Sequence, residues 1–290
     1  QKNNIAIAQD NLNNALKQLG IPVNQAQWHL EAANSLRQEG NLPQAWVEYG
    51  QATQRQPGLS AAWLAQGDLA MVYRMPSRAA QSYQKALAST QAPTALMWLR
   101  LGSAWIQAQN DAKATEALNQ ALALSPQNTD ALLLLESIWQ RELQLNPNNA
   151  SAHFNLGSVY QQLGQYNQAV LAYQNAERLS PGNPLVGLNM ALLYQAHGQS
   201  EKAQRALSLV LSKNPGYVPA WLAQAQLLQD QKRWPQAEQV LRETLSKATD
   251  KKPVFEQLIS LYQAWEVPEK LTQGWDEFTQ AFAKDATLHY

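Results

Sequence analysis

NASAHFNLGSVYQQLGQYNQAVLAYQNAERLSP, residues 149–181, reads as two segments joined at Gly164-Gln165 and closed by Pro181. Its second segment, NQAVLAYQNA from Asn167, has counterparts elsewhere. They are PQAWVEYGQA at Pro43, SRAAQSYQKA at Ser77, AKATEALNQA at Ala112, EKAQRALSLV at Glu201 and PQAEQVLRET at Pro235. The key alanines at the third position of these phrases are Ala45, Ala79, Ala114, Ala169, Ala203 and Ala237, at intervals of 34, 35, 55, 34 and 34. A fixed period of this size marks copies of one supersecondary unit stacked side by side. The first segment recurs in the same frame. Trp63, Trp98 and Trp221 share one position, and Gly67, Gly102 and Gly157 share another four residues on. Leu36, Trp105, Tyr160, Tyr194 and Leu228 share a third, and Pro57, Pro126, Pro181 and Pro215 close units.

Each position has a physical role in a pair of antiparallel helices. Gly or Ala lets two helix axes approach closely. The aromatics fill the space between neighbouring hairpins. Proline after the second helix cannot continue it and turns the chain. Gly40-Asn41, Asn110-Asp111 and Gly164-Gln165 supply the turns within hairpins. One hairpin cannot bury its own apolar face, whereas a stack of them can.

The order Trp, Leu-Gly and Tyr on a first helix, then Ala, an aromatic and Ala on a second, then Pro, resembles the tetratricopeptide repeat family in its bacterial style. The resemblance covers most of the chain. It implies an all-α fold, an α-solenoid of antiparallel helix hairpins forming a superhelix. Here an irregular single helix interrupts it in the middle.

That interruption is the interval of 55 residues, which is a repeat of 34 plus 21. Between Pro126 and Pro147, TDALLLLESIWQRELQL keeps one apolar periodicity without a break. It predicts a single helix of roughly 25 Å, with Thr129 and Asp130 offering an N-cap. A segment missing from between two half-repeats is the alternative. The expected organisation is an N-terminal capping helix over 1–25, three hairpins over 26–126, and a single-helix junction over 127–149. Three more hairpins follow over 150–249, then a degenerate C-terminal hairpin and tail over 250–290.

Composition excludes several function classes. The 22 basic and 22 acidic residues cancel, so no field that would gather nucleic acid is expected. Apolar runs such as 131–135 are far shorter than a membrane span. Without cysteine there is no disulfide, thiolate ligand or cysteine nucleophile. His29, His153, His197 and His289 lack a second ligand at metal spacing, and His29 and His153 occupy the Trp position of their repeats. A core imidazole is expected at His153. No phosphate-binding glycine loop or nucleophile elbow occurs. No cofactor and no enzymatic activity are expected. The compartment stays open between cytoplasm and, if a leader was removed before Gln1, periplasm.

Function therefore falls to the surface. The family resemblance implies that first helices line a concave groove holding a peptide or helix of a partner protein. In this frame the inward positions are Leu30 and Asn34, then Leu64, Asp68 and Met71, then Leu96, Leu99, Ser103 and Ile106. After the interruption they are Phe154, Ser158 and Gln161, then Leu188, Leu192 and Gln195, then Leu222 and Gln226. Arg37 lies on the same face of the first repeat. Members that clasp a C-terminal carboxylate carry a Lys where this chain has Leu30, so that subclass is not expected. The groove should be apolar and amide-lined, suited to a neutral, partly apolar segment such as an amphipathic helix. The expected function is a scaffold or assembly factor. Two alternatives stand beside it. One is self-association into a homo-oligomer. The other is service as the interaction domain of a larger enzyme or secretion subunit.

Overall fold

In the computed structural model the structure describes residues 25–286. The expected capping helix over 1–25 lies outside the described residues apart from its last position. Among the described residues there are fifteen α-helices and no strand.

They are α1 Gln25–Gln38, α2 Leu42–Arg55, α3 Ser60–Val72, α4 Pro76–Ala88, α5 Ala95–Gln107, α6 Asp111–Leu124 and α7 Thr129–Leu145. Then come α8 Ala150–Gln162, α9 Tyr166–Leu179, α10 Pro184–Ala196, α11 Ser200–Lys213, α12 Val218–Asp230, α13 Trp234–Lys247, α14 Lys252–Trp265 and α15 Pro268–Ala286. Two compact units divide the chain, residues 1–138 and 139–290. The division falls inside α7.

Hairpin turns follow one rule. A left-handed residue stands between first and second helix each time: Gly40, Arg74, Gln109, Gly164, Gly198, Lys232 and Glu266, with φ from 56° to 78°. An L side chain in this conformation costs about 1–2 kcal/mol, which glycine avoids. At the third turn the left-handed residue is Gln109, one before the expected pair. Asn110 instead caps α6, its Oδ1 accepting from Lys113 N at 3.1 Å. The last turn, at Glu266, keeps the period, but there the small residue is Gly274 on the second helix, against Tyr262 of the first.

Within a hairpin the glycine position is a contact point. A Cβ on Gly67 would lie 2.5 Å from the Tyr83 ring, and one on Gly157 would lie 2.6 Å from Tyr173. A Cβ on Gly102 would lie 2.8 Å from Leu118. Tyr49 and Tyr173 are fully buried. The core of each unit is thus a row of second-helix Tyr or Leu side chains pressed against first-helix Gly or Ala.

The junction segment is one helix, α7. Its cap is Asn128, whose Oδ1 accepts from Ala131 N at 3.0 Å. Thr129 and Asp130 are the helix's first residues rather than its cap. Ala131, Leu132, Leu135 and Ile138 are buried, while Trp139 and Leu143 pack against the second unit's cluster around Tyr173. His153 also departs from expectation. It is only half-buried, and its Nε2 bonds to the Pro147 carbonyl at 3.0 Å. Trp63 and Trp221 donate Nε1 to the Pro57 and Pro215 carbonyls at 2.8 Å in the same way. The position is a latch on the preceding turn, and imidazole serves it because a ring nitrogen reaches where the indole N–H does.

Candidate protein-binding groove

In the first unit, the first helices α1, α3 and α5 bring Arg37, Asp68 and Arg100 together. Asp68 Oδ2 lies 3.3 Å from an Arg100 nitrogen and 3.8 Å from Arg37. The Tyr83 hydroxyl donates to Asp68 Oδ1 at 2.8 Å from the second helix α4. Burial, and then the Asp68 carboxylate beside it, push the Tyr83 hydroxyl well above the usual phenol range. It therefore stays a donor at every physiological pH. Asn34, one repeat earlier, accepts from Tyr49 at 2.8 Å.

Next to this cluster is a cavity of about 520 Å³. Met71, Leu99 and Ser103 line it from α3 and α5, together with Tyr83 and Arg100. From α7 come Asp130, Leu133, Leu134 and Ser137. Leu133 is 48% exposed and Leu96, on the same first-helix face, is 53% exposed. Ile106 is half-buried, and Leu64 packs partly against the core. Leu30 is placed differently: it is buried among Ala33, Ala45 and Tyr49. Ala26, Leu30 and Ala33, spaced by four and three, form one stripe on α1 that faces α2, which removes Leu30 from the accessible face.

In the second unit Tyr173 donates to Gln161 Oε1 at 2.9 Å, and Ser158 Oγ accepts from Gln162 Nε2 at 3.5 Å. Burial pushes the Tyr173 hydroxyl up to about 12. Phe154 lies 5.8 Å from the Tyr173 ring, centre to centre. Farther along, Gln195 and Gln226 donate to the two oxygens of Asp230 at 2.6 and 2.9 Å. Leu188 packs against the core and Leu192 stays exposed beside Gln195. Leu222 packs against the next hairpin, where its carbonyl accepts from Gln257 at 2.9 Å.

Several residues of this face were not among the expected positions. Arg100, one residue past Leu99, swings its long side chain back to Asp68. Tyr49, Tyr83 and Tyr173 sit on second helices, yet their hydroxyls reach through to first-helix residues. The signal for these was present, since Tyr recurs at one position of the second-helix phrase. Leu133, Leu134 and Ser137 lie on the helix that breaks the frame, so no repeat position pointed to them.

Among the described residues there is no group of three His, Cys, Asp or Glu side chains able to hold a metal. No helix among them is long and apolar enough to cross a membrane.

The family models agree with this architecture. Models of the tetratricopeptide repeat match residues 64–129, 150–183 and 188–253, more than half of the chain. No curated protein matches the chain. Among solved structures, a tetratricopeptide repeat protein from Parabacteroides merdae is 17% identical, with 83% of this chain and 100% of that one covered and a TM-score of 0.39. The C-terminal part of a repeat protein from Cytophaga hutchinsonii is 12% identical over 87% of this chain and 94% of that one, with a TM-score of 0.40. YrrB, described as a TPR protein with an unusual peptide-binding site, is 19% identical over 72% and 94%, with a TM-score of 0.35. None of these likenesses carries a ligand over to this chain. The matched repeats, their period and the hairpins they form place the chain in the tetratricopeptide repeat family.

Proposed function

We propose that this chain is a non-catalytic scaffold that holds a segment of a partner protein against its first-helix face. The family is in general one of protein–protein interaction modules, which gives the coarse class. The observation that carries the finer reading is the open cavity bounded by Met71, Leu99, Leu133 and Leu134, with Arg100 and Asp68 at its edge. Partly exposed leucines on two helices, converging on a polar anchor, suit the apolar stripe of an amphipathic helix. Because Asp68 lies between the two arginines and nearer Arg100, the fitting partner is mainly apolar and uncharged.

Leu133→Asp and Leu99→Asp test this reading. Proteins captured from a lysate of the native organism by the unchanged chain are identified by mass spectrometry, and the same capture is run with each variant. The expected result is loss of a specific partner at unchanged helicity by circular dichroism. Retention of that partner by both folded variants overturns the assignment of the groove.

A further inference from the structure

One hairpin carries no ring at the tryptophan position of the repeat. Trp63, Trp98 and Trp221 occupy it in three hairpins, and in the α10–α11 hairpin it is Gly187. A cavity of about 280 Å³ lies there between α10 and α11. Its face on α10 carries Gly187, Met190 and Tyr194, about 100° around the helix from Leu188 and Gln195, so it is not the groove described above.

Comparison with the α3–α4 hairpin, position by position, shows what changed. There Trp63 has Gln66, Ser82 and Lys85 around it, and the Lys85 ammonium stands 4.3 Å over the indole. In α10–α11 those three positions are Met190, Ala206 and Leu209. The walls have turned apolar and Leu209 is left 48% exposed. The chain cannot fill the slot from position 187 itself. Val210 stands where five other hairpins have Ala or Thr, and a Cβ on Gly187 would lie 2.3 Å from its methyl. The root of the missing indole is shut, and the slot opens only to solvent.

Its rim is cationic. Lys202, Arg205 and Lys213 line it, against the single carboxylate of Glu177. Glu177 accepts from Gly182 N at 3.1 Å and lies 4.0 Å from Lys213. Arg205 meets Glu201 at 3.4 Å, but both side chains are mostly exposed, so that pair contributes little. Lys202 stands 5.6 Å from the Tyr194 ring centre.

We propose that this slot takes an indole side chain presented by an acidic segment of a partner protein. The equivalent place in the α3–α4 hairpin holds an indole under a cation, so indole is a shape this framework accommodates. Apolar walls favour the ring, and the excess of cations at the rim favours carboxylates beside it. The probe is a fluorescein-labelled peptide, Glu-Asp-Trp-Asp-Glu, titrated with the full chain and followed by anisotropy. Saturable binding that weakens with salt is expected. Replacing the peptide's Trp with Ala should weaken it about tenfold or more, the worth of one buried ring. Leu209→Asp, which sets a carboxylate against the ring and against the peptide's own carboxylates, should cause a comparable loss with helicity unchanged. Leu99→Asp should leave this binding untouched, which separates failure of the slot from failure of the groove. Absence of saturation, equal binding of the Ala peptide, or equal binding by Leu209→Asp overturns the proposal. Trp275 is 48% exposed beside Asp276, so sedimentation velocity checks a rival occupant. Self-association that disappears in Trp275→Ala and is competed by the peptide would assign the slot to a second copy and overturn the partner assignment.

Discussion

The two units use the same hairpin yet anchor their first-helix faces differently. In the first, Tyr49 and Tyr83 hold Asn34 and Asp68 from behind, and Asp68 is tied sideways to arginines of the neighbouring first helices. In the second, Tyr173 alone does this, on Gln161. The next two hairpins have Leu207 and Leu241 at the tyrosine position, both fully buried. Where the second helix offers a hydroxyl, the face in front of it carries a polar group of fixed orientation. Where it offers only leucine, that face is free to be Leu192, or Gln226 turned to Asp230. The buried second helix therefore sets how polar and how rigid the exposed first helix is.

The largest test of this contrast adds a methyl group at the hairpin contact. Gly67→Ala and Gly157→Ala drive a Cβ into a buried tyrosine ring, and each should cost about 2 kcal/mol, read as a lower unfolding midpoint. Gly102→Ala meets the pliable Leu118 side chain instead and should cost less. Equal costs at all three would mean that the residue behind the glycine does not matter. Next, Tyr83→Phe removes a hydrogen bond to a carboxylate and should cost about 1.5–3 kcal/mol, against about 0.5–1.5 for Tyr173→Phe, whose acceptor is neutral. Urea denaturation of the two variants ranks them, and the reverse order would break the comparison.

Alkaline pH sharpens it further. Unfolded phenols ionise near 10, whereas burial holds Tyr173 up to about 12, and burial together with the Glu238 hydrogen bond does the same for Tyr262. Between those values the folded chain binds more protons than the unfolded one. Stability is thus fully present below pH 10 and falls as pH rises toward 12. Thermal melts from pH 8 to 12 check this, and Tyr262→Phe should flatten the fall. The smallest effect concerns turns. Lys232→Gly and Gln109→Gly place glycine at a left-handed φ of 57° and should each stabilise by about 0.5 kcal/mol. Gly198→Ala should act in the opposite direction.

Much of this was legible in the sequence because repetition multiplies weak signals. A glycine alone says little, but Gly67, Gly102 and Gly157 in one frame, each opposite Tyr or Leu a fixed distance on, specify a helix–helix contact. The groove was legible less completely, and for geometric reasons. Spacing fixes the direction of a Cβ, not the end of a long side chain. Arg100 reads as sitting beside the groove and ends within it, and Tyr83 reads as core and delivers its hydroxyl to the face. Leu30 shows the converse, since the stripe it shares with Ala26 and Ala33 turns it inward. On α7 the frame itself is lost, so Leu133 and Leu134 had no repeat position to be read against.

The tyrosine contacts span only 12 to 15 residues of chain, so each is sealed within one hairpin. Such an array can be edited like type set in separate blocks: one block exchanged, its neighbours unaltered. Asp68, shared with Arg37 and Arg100, is where three blocks have been cast as one. Rewriting the second unit's face should proceed a hairpin at a time except where Gln195 and Asp230 join two, while the first unit's must change as a word.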